Sequence, residues 1–377
     1  MRGTIKKEGT SWFVLYDTGK DPVTGKRKQK KKRGFKTKKE AEKFLSEKLN
    51  SINNGTYFEP KDITLNEYLN YWVDNYARLN LAPRTLEHYN YIITQHLKPT
   101  LGKIKISNLQ PFHLQEYYTQ KLETGKIEGG GLSAQSVKHH HRLISKVLKD
   151  AVKWQFISRN VAEAVSPPKT KKVEMQTWDN ERVKTFLDAS QSSVYYSIYL
   201  TAIYTGMRRG EVLGLRWQDV DLENNVIYVR QSLQEVKKVG LTFKEPKSGK
   251  GRSITITTTL SKELKKIYKV QLEDKLLLGK EYHDLDLVFA QKNGKPIQPT
   301  EMARNYRKLV ESSGLPYIRF HDLRHTHATL MLQQGVHPKV VSERLGHSSI
   351  GITMDTYTHV LPNMQKEAAQ QFDQLIK

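Results

Sequence analysis

No cysteine occurs anywhere in the 377 residues, and that absence excludes disulfides, thiolate-ligated zinc, iron–sulfur clusters and thiol catalysis together. Long apolar runs are missing too. None approaches the roughly 18 residues of a membrane span, and the amino terminus lacks the apolar core of a signal peptide, so the sequence predicts a soluble, cytoplasmic protein with no membrane partner. Acidic side chains are scarce: 39 Asp and Glu face 62 Lys and Arg, for a formal net charge of +23. Solubility does not need that surplus, and the self-repulsion costs stability. A polyanionic partner accounts for it, and the sequence points to nucleic acid.

What is present is unevenly spread, over a length that predicts two or three domains. Residues 1–60 hold 16 Lys and Arg against 7 Asp and Glu, a surplus of nine in under a sixth of the chain. This block opens with alternating TSWFVLYD (Thr10–Asp17), passes the turn-rich DPVTGK (Asp21–Lys26) and the polybasic KRKQKKKRGF (Lys26–Phe35), and ends in TKKEAEKFLSEKLNSINNG (Thr37–Gly55). Thr37 is a helix N-cap, Ala41, Phe44, Leu45, Leu49 and Ile52 recur at helical spacing, and Asn54-Gly55 is a stop. The expectation is a small β-meander with one helix behind it, suited to laying a β-face in a DNA groove. Trp12, Phe13, Tyr16 and Phe35 argue against a disordered basic tail.

From Ile63 the periodicity turns helical. Thr64 with Glu67 is a capping box, and four helices are expected over Thr64–Ala77, Ala82–Gly102, Pro111–Glu123 and Ser133–Ile157. His139–His141 are consecutive on a helix and point in different directions, so they read as a basic face toward phosphate rather than a metal cluster. Residues 166–176 form a proline- and lysine-rich linker. The remaining 200 residues are mostly helical. NNVIYVRQSL (Asn224–Leu233) and RSITIT (Arg252–Thr257) are expected as two strands of a small sheet, with a third in DLVFAQKNGKP (Asp286–Pro296). The fold class is mainly α with small β-sheets, α+β.

The chemistry-bearing residues of this last block lie far apart in sequence but share one theme. Arg208 follows Gly206 at a helix start. Lys247 precedes the turn Ser248–Gly251 and is expected at a β-hairpin tip. His321 and Arg324 stand three apart on one helix face, Gly346 ends a helix before His347, and Tyr357 lies in the polar run GHSSIGITMDTYTH. Each has an ordinary reading as well: Arg208 as a salt-bridge partner of Glu211, Lys247 as a solvated turn residue, His347 as a helix finisher, Tyr357 as a packing residue. His321, His325 and His327 raise zinc, yet no glutamate stands in the HExxH place, and no metal or cofactor is expected. Together the set describes a site for a phosphodiester. Guanidinium forks bind the non-bridging oxygens and stabilise charge developing in a pentavalent transition state, histidine and lysine move protons, and tyrosine forms a covalent phosphoester.

That ordered set resembles the tyrosine recombinases, the lambda-integrase family. The family pattern is an arginine after a TG-L/M turn, a hairpin lysine, H-x-x-R, then L-G-H and a tyrosine about ten residues on. Here it reads TGMR (Arg208), PKSGKGR (Lys247), HDLR (His321, Arg324), LGH (His347) and TMDTYTH (Tyr357). The resemblance implies a three-domain architecture: an arm-type DNA-binding domain at 1–60, a helical core-binding domain at 63–165, the linker at 166–176, and a catalytic domain at 177–377 ending in a tail helix. It implies that Tyr357 attacks a DNA phosphate to give a 3′-phosphotyrosyl link and a free 5′-hydroxyl. Arg208, Arg324 and His347 hold the phosphate, His321 assists proton transfer and Lys247 protonates the leaving oxygen, without ATP, metal or cofactor.

The partners so implied are double-stranded DNA with core-type and arm-type sites, a homo-tetramer on that DNA, an excisionase and a DNA-bending host protein, in the service of a phage or conjugative element. A type IB topoisomerase-like enzyme and a non-catalytic DNA-binding regulator are the alternatives. In the tail, Pro362 can start a helix on which Met364, Ala368, Phe372 and Leu375 share a face. That face packs on its own domain or, as the resemblance implies, on a neighbouring protomer.

Overall fold

The computed structural model describes residues 3–20, 25–53, 62–170, 175–236, 239–245 and 251–357, with 372, 373 and 376 in the tail. Lys247 and most of the expected tail helix lie outside the described residues. The chain divides into two compact units, Met1–Lys171 and Lys172–Lys377.

In the first unit, β1 (Gly3–Glu8), β2 (Ser11–Lys20) and β3 (Arg27–Phe35) form an antiparallel meander in that order. Alternation along β2 sends Val14 and Tyr16 into contact with Ala41 of the helix Lys38–Asn53, while β3 keeps its lysines and arginines outward. Phe44 of the helix meets the rings of Tyr16 and Phe35 edge-on and tilted. On the opposite strand face, Lys31 lies 3.7 Å from the centre of the Phe13 ring.

A separate core follows. The capping box is formed as the sequence predicts: the Glu67 amide donates to Thr64 Oγ1 (3.2 Å) and the Thr64 amide to Glu67 Oε2 (2.7 Å). Two of the helices each contain one widened turn, Val73–Ala77 and Ile93–Leu97. Pro111–Thr124 and Ala134–Lys153 complete the set around Tyr68, Trp72, Tyr117 and Tyr118. The last helix stops before Trp154 rather than reaching Ile157. Gln155 takes a positive φ of 57°, the Phe156 amide returns to Ala151 O (2.8 Å), and Phe156 and Ile157 fold back into the core. His139–His141 do not form one basic face. The 100° helical step turns His140 inward onto Tyr117 Oη (2.8 Å) and His141 onto Tyr118 Oη (2.8 Å), leaving only His139 exposed.

The second unit gathers its helices around an aromatic centre of Trp178, Phe186, Tyr199, Tyr306 and Phe320. Its sheets differ from expectation. The segment 224–233 is not one strand: β5 (Val226–Val229) lies between β4 (Val220–Asp221) and β8 (Arg252–Thr255), whereas β6 (Ser232–Val236) pairs with β7 (Gly240–Lys244) as a separate hairpin. The break falls where Gln231 Nε2 donates to Gly214 O (2.8 Å) and Arg230 reaches Asp219, which redirects the chain. Residues 286–296 make only isolated bridges, to Arg216 and within a tight turn. A second, smaller cluster of Ala328, Leu332, Val341, Leu345 and Tyr357 closes the carboxy-terminal side.

Candidate active site

The helix Tyr196–Thr205 ends in Gly206, at φ 66°. A Cβ there would come within 2.7 Å of both His327 Cδ2 and Leu345 Cδ2, so glycine is required by backbone conformation and by space alike. The turn puts Arg208 at the N-cap of the short helix Arg209–Leu213, and it aims the Gly206 carbonyl at Arg324. Arg324 Nη1 donates to Gly206 O (2.8 Å) and Nη2 to Leu345 O (2.6 Å). Its side chain is only 3% exposed and is held by two carbonyls rather than a carboxylate. Burial first, then the neighbouring charge of Arg208, lowers its pKa to about 9, which leaves it a cation at neutral pH.

Arg208 takes the opposite arrangement. Its Nη1 donates to Glu211 Oε1 (2.8 Å) and its amide to Oε2 (2.9 Å), yet 43% of the side chain stays exposed. Glu211 is buried, and it also receives Arg252 Nη2 at Oε2 (2.7 Å) and Nη1 at Oε1 (3.2 Å). Burial would raise this carboxyl, but the Arg252 hydrogen bonds and charge, then those of Arg208, hold it at about 2. Arg252 is fixed from behind, its Nε donating to Arg344 O (2.8 Å). The salt bridge between Arg208 and Glu211 is therefore real, and it braces an arginine whose outer face remains open.

The helix Pro338–Leu345 ends in Gly346 at φ 69°, where a Cβ would stand 2.8 Å from Arg252 Cδ. The next residue, His347, makes a hydrogen bond between its Nδ1 and Thr353 Oγ1 (2.8 Å). Burial, then Arg324 and Arg208, lowers its pKa to about 4, so the ring is neutral at pH 7. His321 stands at the N-cap position of the helix Asp322–Gln333 with part of its ring exposed, and desolvation of the rest followed by Arg324 shifts it downward too. His327 belongs to the frame: its Nδ1–H donates to Ile203 O (2.8 Å) and its Nε2 accepts from Arg344 Nε (3.1 Å), which commits both nitrogens away from His321 and His325.

Tyr357 ends the helix Ile350–Tyr357 with its ring among Ala328, Leu332, Val341 and Leu345 and is 1% exposed. Its hydroxyl meets His325 Nδ1 at 2.7 Å. Burial raises the phenol to about 12, against a lowering by the nearby Arg324 cation. Arg324 thus ties the group together: its charge acts on His321, His347 and Tyr357, and it feels that of Arg208. Lys247 is outside the described residues, and the strands flanking it, β7 and β8, pair with different partners instead of forming the expected hairpin. Sequence reasoning missed His325, weighed there only for zinc, and the bracing pair Arg252 and Arg344. Only Glu211, three residues after Arg208, carried a visible signal. Chemically, the group offers two fixed guanidiniums, neutral imidazoles and a phenol: anion binding, proton transfer and oxygen nucleophilicity in one place.

Residues 176–364 match the phage integrase family, residues 4–52 an arm DNA-binding domain, and residues 64–122 the phage integrase N-terminal SAM-like domain. The chain is 30% identical over 389 residues to a tyrosine recombinase XerC-like protein of Caldanaerobacter subterraneus subsp. tengcongensis, covering 98% of this chain and 97% of that one. It is 26% identical over 381 residues to the ICEBs1 integrase of Bacillus subtilis, covering 99% and 100%. Among solved structures, its fold is similar to the Tn1549 transposon integrase in complex with a circular intermediate DNA, with a TM-score of 0.66 at 21% identity over 82% of this chain and 99% of that one. It is also similar to a lambda integrase dimer bound to a core site, with a TM-score of 0.57 at 20% identity over 78% and 95%.

Proposed function

The chain belongs to the phage integrase family and is a tyrosine recombinase, an enzyme that breaks and rejoins DNA, and from that premise we propose how its own residues carry the reaction. Tyr357 attacks a DNA phosphate and forms the 3′-phosphotyrosyl bond. Arg208, Arg324 and His347 hold the non-bridging oxygens, the family pattern assigns assistance in proton transfer to His321, and Lys247 protonates the leaving 5′-oxygen. One observation supports this above the others: Gly206 and Leu345 lend their carbonyls to Arg324 at the two glycine turns that also bring in Arg208 and His347. Such donors are in place before charge develops, which is the condition for strong transition-state stabilisation.

The substrate is double-stranded DNA, integrated and excised as part of a mobile element, as the ICE and transposon relatives suggest. Residues 1–60 bind arm-type sites, 63–165 bind the core site, 166–176 link them to the catalytic domain 177–377, and the tail after Tyr357 reaches a neighbouring protomer in a tetramer. An excisionase and a DNA-bending host protein set direction. Tyr357→Phe tests the centre of this reading, because it keeps the ring and removes only the hydroxyl. We expect normal DNA binding and no covalent complex on detergent trapping. A covalent complex with the phenylalanine protein would put the nucleophile elsewhere.

A further inference from the structure

His325 lies one residue past Arg324 and one turn before Ala328, on the helix whose Ala328 and Leu332 pack the Tyr357 ring. It forms the polar end of the groove in which the ring lies, and its Nδ1 is 2.7 Å from the phenolic oxygen. His321, the residue to which the family pattern gives proton transfer, meets His325 edge-on instead, with ring centres 5.3 Å apart and planes at 90°. That geometry is an aromatic contact and not a path for a proton. We propose that His325, rather than His321, accepts the phenolic proton as Tyr357 attacks, an assignment that rests on Tyr357 being the nucleophile.

The resting protonation states are those the step starts from. Burial, then His321, lowers His325 to about 4, so it is neutral at pH 7 and able to accept, while burial keeps the phenol protonated until the reaction begins. With Nδ1 accepting from Tyr357, Nε2 carries the ring hydrogen. In the step, the Tyr357 oxygen–phosphorus bond forms and the bond from phosphorus to the 5′-oxygen breaks. The phenolic proton passes to His325 Nδ1, and the 5′-oxygen takes its proton from the acid on the leaving side, Lys247 in the reading above. On reversal the imidazolium returns the proton to the tyrosine. His321, partly exposed at the helix N-cap, is left to the phosphate.

The test is single-turnover cleavage of a suicide substrate by the full chain, with an ordinary phosphodiester and with a 5′-bridging phosphorothiolate whose leaving group needs no acid. His325→Asn places an oxygen near Nδ1 that can accept a hydrogen bond but not a proton. We expect its rate to fall about 100-fold on both substrates, as for loss of a general base, with DNA binding unchanged. His325→Ala should fall likewise and recover in part with added imidazole, which a merely structural role would not allow. A near wild-type rate for His325→Asn overturns the assignment. So does a defect that disappears on the phosphorothiolate, or an alanine protein of unchanged melting temperature that imidazole does not help. Tyr357→Phe run beside them separates the two readings. If it still cleaves, the nucleophile is wrong; if it is dead while His325→Asn is normal, only His325 is wrong.

Discussion

Lysine can replace the charge of Arg324 but not its shape. Two of the guanidinium nitrogens donate to Gly206 O and Leu345 O, and the planar fork keeps further N–H donors in fixed directions. An ammonium on a flexible stem cannot bridge both carbonyls and keep a fixed direction. Arg208, braced by Glu211 on one side and open on the other, is constrained in the same way. Arg208→Lys and Arg324→Lys should each lower single-turnover cleavage by about 100-fold or more. A near wild-type rate in either would mean that arginine is not on the phosphate. The arginines were legible because their spacing to glycine and histidine is fixed in the chain. Arg252 and Arg344 were not, because nothing local links them to Glu211 or His327; they meet only once β8 and the helix Pro338–Leu345 are packed.

Among the elements, the paired helices Pro111–Thr124 and Ala134–Lys153 hold a concentration of bases with a pH signature. His140 is buried against Tyr117, with His96 at 4.8 Å between ring centres and His88, His139 and Lys121 close enough to act on its charge. Burial first, then His96, lowers it to about 3 from an ordinary 6.5. A base lowered by folding stabilises the fold fully above its unfolded pKa, and loses that contribution as pH falls toward the folded value. Between about pH 7.5 and 5, His140 alone should cost about 2 kcal/mol. Hydrogen exchange of this helix pair within the full chain should reveal the loss. His140→Gln, which keeps a partner for Tyr117 and does not titrate, should flatten the slope, and an unchanged slope would locate the sensitivity elsewhere. These helices were readable from capping residues and apolar spacing, both local signals. The strands of the second unit were read less well: one apolar run, Asn224–Leu233, serves two sheets, and the break at Arg230 and Gln231 depends on Asp219 and Gly214.

Over the whole molecule the positive charge is unevenly spread along the chain. Deleting residues 1–60 removes nine of the 23 surplus positive charges, so the dependence of DNA binding on salt should become shallower while core-site cleavage persists. Recombination that needs a second class of site should fail; full recombination by the truncated protein would refute the arm-binding role. At the other end, Phe372 is 67% exposed. If the tail serves a neighbour, Phe372→Asp should leave melting and DNA binding intact and abolish the tetramer in native gels. A lowered melting temperature with intact tetramers would return the tail to its own protomer. The buried carboxylate Glu211 hydrogen-bonds both Arg208 and Arg252, while Arg324 beside them hydrogen-bonds only carbonyls and feels Glu211 through space. This unit therefore folds around positive charge that its own residues only partly balance, and in the proposed reaction an arriving phosphodiester supplies the remainder. By mass action such a ligand stabilises the fold it enters, by about 2.7 kcal/mol at a hundred times its dissociation constant. Occupancy of the site and endurance of the fold are then two measures of one free energy, and the protein lasts longest where its substrate is.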